Sequence, residues 1–161
     1  MLKGVDEVLS AEALWILRSM GHGDSLLVCD CNYPAYTTAQ ATTTGKVERV
    51  SVDVERALAA LLSLLPLDHF ATAVRKMAPD PGVRMPDEGT EVASRIYDVV
   101  VSNGGGGVDM TDTPRSEFYE EARKCFAVIQ TSERRPYANL ILTKGALGPD
   151  GKDQLPEDCP S

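Results

Sequence analysis

Histidine is scarce in this chain of 161 residues: there are two, His22 and His69. Tryptophan occurs once, aromatics make up 6 %, and basic residues number 16 against 24 acidic. Each shortage removes a class of function. A formal net charge of -8 and a pI near 4.7 argue against a nucleic-acid backbone as partner. No apolar run approaches the roughly 18–20 residues that span a bilayer. The opening "MLKGVDEVLSAEALWILRSM" puts Asp6 and Glu7 where a signal peptide would be basic. The expectation is a cytoplasmic protein with no membrane contact. The four cysteines, Cys29, Cys31, Cys125 and Cys159, then read as thiols rather than a disulfide framework. The Gly104–Gly107 run lacks the Gly-Lys-Ser/Thr ending of a phosphate loop and the spacing of a dinucleotide loop, so it reads as a surface loop.

What remains is ordinary globular material: 43 % apolar and 25 % charged residues, in a length suited to one domain. "SAEALWILRSM" predicts a helix capped by Ser10 and stopped by Gly21 and Gly23. "SLLVCD" predicts a central strand from Ser25 to Asp30. The polar stretch after it, with Pro34, predicts a loop, and "VERVSV" a short strand. A helix is expected from just after Asp53 to near Pro66, and a strand in "FATAVRKMAP". "EVASRIYDVVVS" begins as a helix and ends as either strand or apolar helix. "PRSEFYEEARKCF" predicts a helix with Phe118, Ala122 and Cys125 or Phe126 on its apolar face. "FAVIQT" and "NLILTKG" predict two strands, and the Pro-rich, charged end predicts a frayed tail. Helices alternating with short apolar strands make an α/β fold with helices covering a sheet, in an order the pattern does not give.

Two groups of residues carry chemistry. In "GHGDSLLVCD", His22 sits between glycines and Asp30 ends an apolar strand. An imidazole exchanges protons near neutral pH, and a strand-end carboxylate is a common ligand position in α/β sheets. The alternative is a turn stabilised by His22 and Asp24, with Asp30 bonded to loop amides. A metal set of His22, Asp24, Cys29 and Cys31 does not match the spacing of common zinc sites. His69, after "LPLD", reads as a turn or core-edge histidine. In the second group, Arg115 and Tyr119 are four apart on a helix, and Tyr137 and Asn139 share a face if extended. Their hydroxyl, amide and guanidinium groups suit a polyhydroxylated ligand, although the tyrosines also suit packing.

The blocks "GHGDSLLVCDCNYPAY" and "FYEEARKCFAVIQTSERRPYANLILTKG", with the opening "MLKGV…LSAEALWILRSMGHGD", resemble the bacterial sugar mutarotases that include L-fucose mutarotase and D-ribose pyranase. The likeness is closer to the fucose type. It spans residues 1–146, leaving 147–161 as a tail expected to be flexible. It implies a single compact α/β domain with a mixed sheet covered by helices. The implied activity is an isomerase that interconverts the anomers of a free monosaccharide, L-fucose or a related sugar, without metal or nucleotide cofactor. Homo-oligomers are implied too, often decamers of two stacked pentamers, with active sites near subunit boundaries. By motif position, His22 matches the catalytic histidine and Asp30 the strand-end aspartate. Tyr119, Tyr137 and Asn139 match the ligand-binding tyrosine and the Tyr-x-Asn segment, and Arg115 the fucose-type arginine. Tyr119 and Tyr137 are also expected to relay protons. Fucose-type members read Asp-Ala-His-Phe-Pro-Ala-His after the first strand; this chain reads "DCNYPAY", so Asn32 and Tyr36 replace two histidines. That departure keeps two other expectations open: pyranose/furanose exchange of the ribose type, or sugar binding without catalysis.

Overall fold

The computed structural model describes residues 2–104 and 107–158. Gly105 and Gly106 of the glycine run, and Cys159, lie outside the described residues. Helix α1 (Ala11–Ser19) begins as expected at Ser10, whose hydroxyl accepts from the Ala13 amide. It buries Ala13, Ile16 and Leu17 and leaves Trp15 exposed. Its last carbonyls do not go unpartnered, because Lys144 donates to the Leu17 and Met20 oxygens. Gly23, at φ 84°, then turns the chain into strand β1 (Ser25–Cys29).

The stretch after Pro34 departs from the expected loop: it forms the short helix α2 (Ala35–Ala39). Pro34 presets the backbone at its start, and Ala35, Thr38 and Ala39 are small enough to bury against the sheet. Strand β2 (Val47–Arg49) follows. Helix α3 (Val54–Leu62) is capped by Asp53, which accepts from the Arg56 amide, and stops short of Pro66. Strand β3 (Val74–Ala78) leads into helix α4 (Asp87–Asn103), which resolves the ambiguous segment as helix throughout. Val92, Ile96 and Val100 recur every four residues and are buried, while Tyr97 and Val101 face out.

Strand β4 (Met110–Pro114) has no counterpart in the sequence reading. "MTDTP" lacks apolar alternation because it is an edge strand. It pairs parallel with β3, and Lys76 of β3 reaches Asp112 at 2.7 Å. Pro114 is tolerated there because an edge leaves one side of the ladder free. Helix α5 (Arg115–Ala122) follows at once, then strands β5 (Ala127–Gln130) and β6 (Leu140–Thr143).

The six strands form one mixed sheet in the order β2-β5-β1-β6-β3-β4. Only β6 runs against its neighbours. The pleat sorts side chains cleanly. Leu26, Val28, Ile129, Leu140 and Leu142 point into the core shared with α1, α3 and α4. Leu27, Cys29, Val128 and Ile141 point into a smaller core with α2 and α5, around Phe118. Truncating a fully buried Leu such as Leu26 or Leu142 to Ala should cost about 2–5 kcal/mol. Among the described residues no helix is long and apolar enough to cross a membrane. Beyond β6 the chain folds back, with Gln154 donating to the Ala146 carbonyl.

Candidate functional site at the carboxyl end of β1

Asp30 follows β1 and is 4 % exposed. A carboxylate this buried needs partners. Its Oδ1 accepts from the Asn32 and Tyr33 amides, each at 2.9 Å. Its Oδ2 accepts from the Asn139 side chain, and the Asn139 Oδ1 accepts in turn from the Asp30 amide, both at 2.9 Å. This reciprocal pair ties the end of β1 to the start of β6. Burial pushes the Asp30 carboxyl above the usual carboxylate range. The hydrogen bonds from Asn32, Asn139 and Tyr33 pull against that rise, and the charge of Glu133 adds to it.

Around Asp30 and Asn139 lies a pocket of about 230 Å³, lined also by Asn32, Tyr33, Met77, Arg115, Tyr119, Pro136 and Tyr137. It is smaller than the ~300 Å³ lower bound of drug-sized sites and suits a small polar molecule. Tyr119 stacks on Tyr33 with ring centroids 5.3 Å apart. Arg115 opens α5, and its guanidinium lies 3.8 Å from Asp80. Asp80 also accepts from the Ser116 amide and hydroxyl, supplying the helix cap that Pro114 lacks. Tyr137 sits at φ 64°, the one described non-glycine residue in the left-handed region. That conformation costs a β-substituted residue roughly 1–2 kcal/mol and is held here at the pocket wall.

Five of the six candidate residues therefore meet: Asp30, Arg115, Tyr119, Tyr137 and Asn139. His22 does not join them within one chain. It lies before β1 and Asp30 after it, so the strand separates them by about 16 Å at ~3.3 Å per residue. His22 is half exposed, with its Nε2 3.3 Å from Asp68 Oδ1 and its ring edge-on to Phe70. Asp68 is itself 4 % exposed and accepts from the Phe70 amide. Asp24 holds the turn by accepting from the Gly21 amide. The His69 side chain is buried, 3.9 Å from Asp153.

Sequence reasoning missed Tyr33, Met77 and Asp68. Tyr33 stands in the Pro34 loop stretch, and Met77 is one apolar residue in an ambiguous strand. Asp68 carries no motif of its own beside His69; its signal is a carboxylate at the end of "LPLD" that needs a partner once buried. Cys29 and Cys125 are buried and Cys31 is exposed. Burial pushes the Cys125 thiol up to about 12, so it stays protonated near neutral pH. Among the described residues no three His, Cys, Asp or Glu side chains are grouped to hold a metal ion.

The arrangement offers a buried carboxylate, two tyrosine hydroxyls, an amide and a guanidinium around a small cavity, with aromatic faces beside it. Such a set can hold several hydroxyls in fixed directions. The family described as "RbsD / FucU transport protein family" matches residues 3–147. The Homo sapiens fucose mutarotase is 37 % identical over 152 residues, covering 91 % of this chain and 94 % of that protein. The Danio rerio fucose mutarotase is 35 % identical over 159 residues, covering 93 % and 97 %. The crystal structure of the Streptococcus pneumoniae fucose mutarotase in complex with L-fucose superimposes with a TM-score of 0.78. It is 30 % identical, over 91 % of this chain and all of that one. Matched along almost its whole length in both sequence and fold, this chain belongs to the RbsD / FucU family.

Proposed function

We propose that this protein is a sugar mutarotase acting on L-fucose or a closely related free monosaccharide, and that it works as a homo-oligomer in the cytoplasm. The observation that carries this reading is the convergence of five polar groups, from β1, α5 and the start of β6, on one small pocket. The relatives named fucose mutarotase support the choice of reaction.

Anomer exchange asks for modest chemistry. The anomeric hydroxyl gives up its proton as the ring oxygen gains one, and the bond from C1 to the ring oxygen breaks. The open aldehyde turns about its C1–C2 bond and the ring closes on the other face. In this reading Asp30, held by Asn139, accepts a sugar hydroxyl. Arg115 and Asn139 direct others, and the hydroxyls of Tyr119 and Tyr137 face the ring oxygen and C1. Burial pushes the Tyr33 hydroxyl up, so it stays protonated and serves the stack rather than the proton path. His22 supplies the main acid and base function, worth typically 10²–10⁴-fold. Since one chain keeps it a strand's length from Asp30, the His22 that serves a pocket comes from a neighbouring copy. The surface near His22 suits a covered face: Phe70, edge-on to His22, is exposed, and beside Lys144, whose carbonyl accepts from the Gly23 amide, lies a hollow of about 580 Å³ lined by the exposed Leu64 and Leu147.

Magnetisation-exchange NMR on L-fucose, D-ribose and other free sugars tests the reaction. Accelerated exchange between anomer signals is expected, with L-fucose or a close relative the best substrate. Saturable binding with no acceleration on any sugar would overturn it. Asn32, which lines the pocket where fucose-type relatives carry a histidine, would then favour the binding-only reading.

A further inference from the structure

Tyr137 holds a strained backbone at the pocket wall, and something must impose that conformation. The loop before it is tied at each step. The Thr131 amide donates to the Cys29 carbonyl, the Ser132 amide to Val52, and the Cys31 amide to the Glu133 carbonyl. The Glu133 side chain then turns back along its own loop. Its Oε1 accepts from the amides of Arg134 and Arg135, both at 2.8 Å. Arg135 folds over the same carboxylate, Nε to Oε1 at 2.9 Å and Nη2 to Oε2 at 2.6 Å. Its Nη2 also reaches Glu55 of α3 at 2.8 Å. Pro136, with a fixed φ, comes next, and its carbonyl lies against Gly89 of α4, where an added Cβ would approach within 3.2 Å.

From this geometry we infer that Glu133 and Arg135 are positioning residues: a clasp that sets the backbone of Tyr137 and so the directions of the Tyr137 and Asn139 side chains in the pocket. Neither lines the pocket, so apart from the charge that Glu133 exerts on Asp30 they act through the loop. The clasp is built for rigidity. Glu133 is 4 % exposed, its carboxylate accepts four hydrogen bonds, and the fork of Arg135 grips it at two points. Burial raises the Glu133 carboxyl, but the bonds from Arg135 and the loop amides outweigh it and hold it down to about 2. The carboxylate therefore stays charged and paired across the neutral range. Pocket residues placed to within a fraction of an ångström need such support, since a misplacement of about 1 Å can cost ~10²-fold.

The inference rests on the sugar-site reading, so its test has one readout that needs no sugar. The chain has five tyrosines, and 3-fluorotyrosine labelling gives each a ¹⁹F resonance, assigned by single Tyr→Phe changes. Arg135→Ala should move or split the Tyr137 resonance and leave those of Tyr36 and Tyr97 in place. It should also weaken L-fucose or D-ribose binding about tenfold or more. Arg135→Lys, which keeps the charge and loses the fork, should be intermediate in both. It carries the comparison if Arg135→Ala does not fold. Val100→Ala, a truncation in α4 away from the pocket, is the control that lowers the melting temperature and moves neither readout. The inference is overturned if Arg135 variants behave like that control, or if resonance and affinity do not move together. Absence of sugar binding by the unaltered protein would refute the sugar site itself, and the ¹⁹F spectrum alone would then decide the clasp.

Discussion

The two ends of β1 are built on opposite plans. At the amino end, His22 sits half exposed on a glycine turn, touched by Asp68 and Phe70. At the carboxyl end, Asp30 is buried, bonded through both oxygens, and walled by tyrosines. A half-exposed imidazole is a poor binder and a good proton carrier. A fixed, buried carboxylate is the reverse. On the proposed roles, binding and proton transfer are separated, within one chain, by the length of a strand.

The largest expected effect comes from removing the proton carrier. His22→Ala should slow anomer exchange by about 10²–10⁴-fold, with sugar affinity nearly unchanged. Exchange NMR with a parallel binding titration reads both. Equal loss of binding and exchange would erase the contrast between the two ends.

Asn139→Ala attacks the other end. It strips Asp30 of a partner for Oδ2 and for its amide, both buried. Urea denaturation should show a loss of about 1–3 kcal/mol, alongside weaker sugar binding. His22→Ala, at a half-exposed turn and with Asp68 still bonded to the Phe70 amide, should cost less stability than Asn139→Ala.

Tyr137→Gly sharpens the point further. Relief of the left-handed backbone, roughly 1–2 kcal/mol, offsets the added chain entropy of Gly and the lost ring contacts. Stability should move by less than about 1 kcal/mol while affinity falls, which a thermal melt and a titration would show.

A further effect is in acid. The Glu133 carboxyl is lowered from 4.5 to about 2 in the folded chain. The unfolded chain therefore takes up this proton first as pH falls. The stabilisation is complete above about pH 4.5 and fades as pH drops through about 2. Asp30 has the opposite sign: its raised carboxyl takes a proton sooner in the folded chain, which partly offsets the loss. Denaturation curves at pH 5 and pH 3 should show a smaller difference for Glu133→Gln than for the unaltered protein.

Much of this was readable in the sequence, for identifiable reasons. Ser10 and Asp53 mark helix starts because their side chains do the capping. The strands β1, β5 and β6 are apolar because both faces of the sheet are covered. Arg115 and Tyr119 share a helix face by spacing alone. The failures are long-range. "MTDTP" becomes a strand only because β3 offers it an edge. The closeness of His22 to Asp30 in sequence suggested a shared site, but an extended strand carries the chain from one to the other. In the sequence Glu133 and Arg135 are two charges between strands, and only the fold shows them closing on each other behind Tyr137.

The central claim is that a pocket and the His22 that serves it belong to different copies. Subunit mixing tests it most directly. His22→Ala and Asp30→Asn are each expected to be nearly inactive alone. Dissociated, mixed in equal amounts and reassembled, they should recover about a quarter of the unaltered exchange rate, the share of interfaces that pair an intact His22 with an intact pocket. A mixture no more active than its two components would contradict the account.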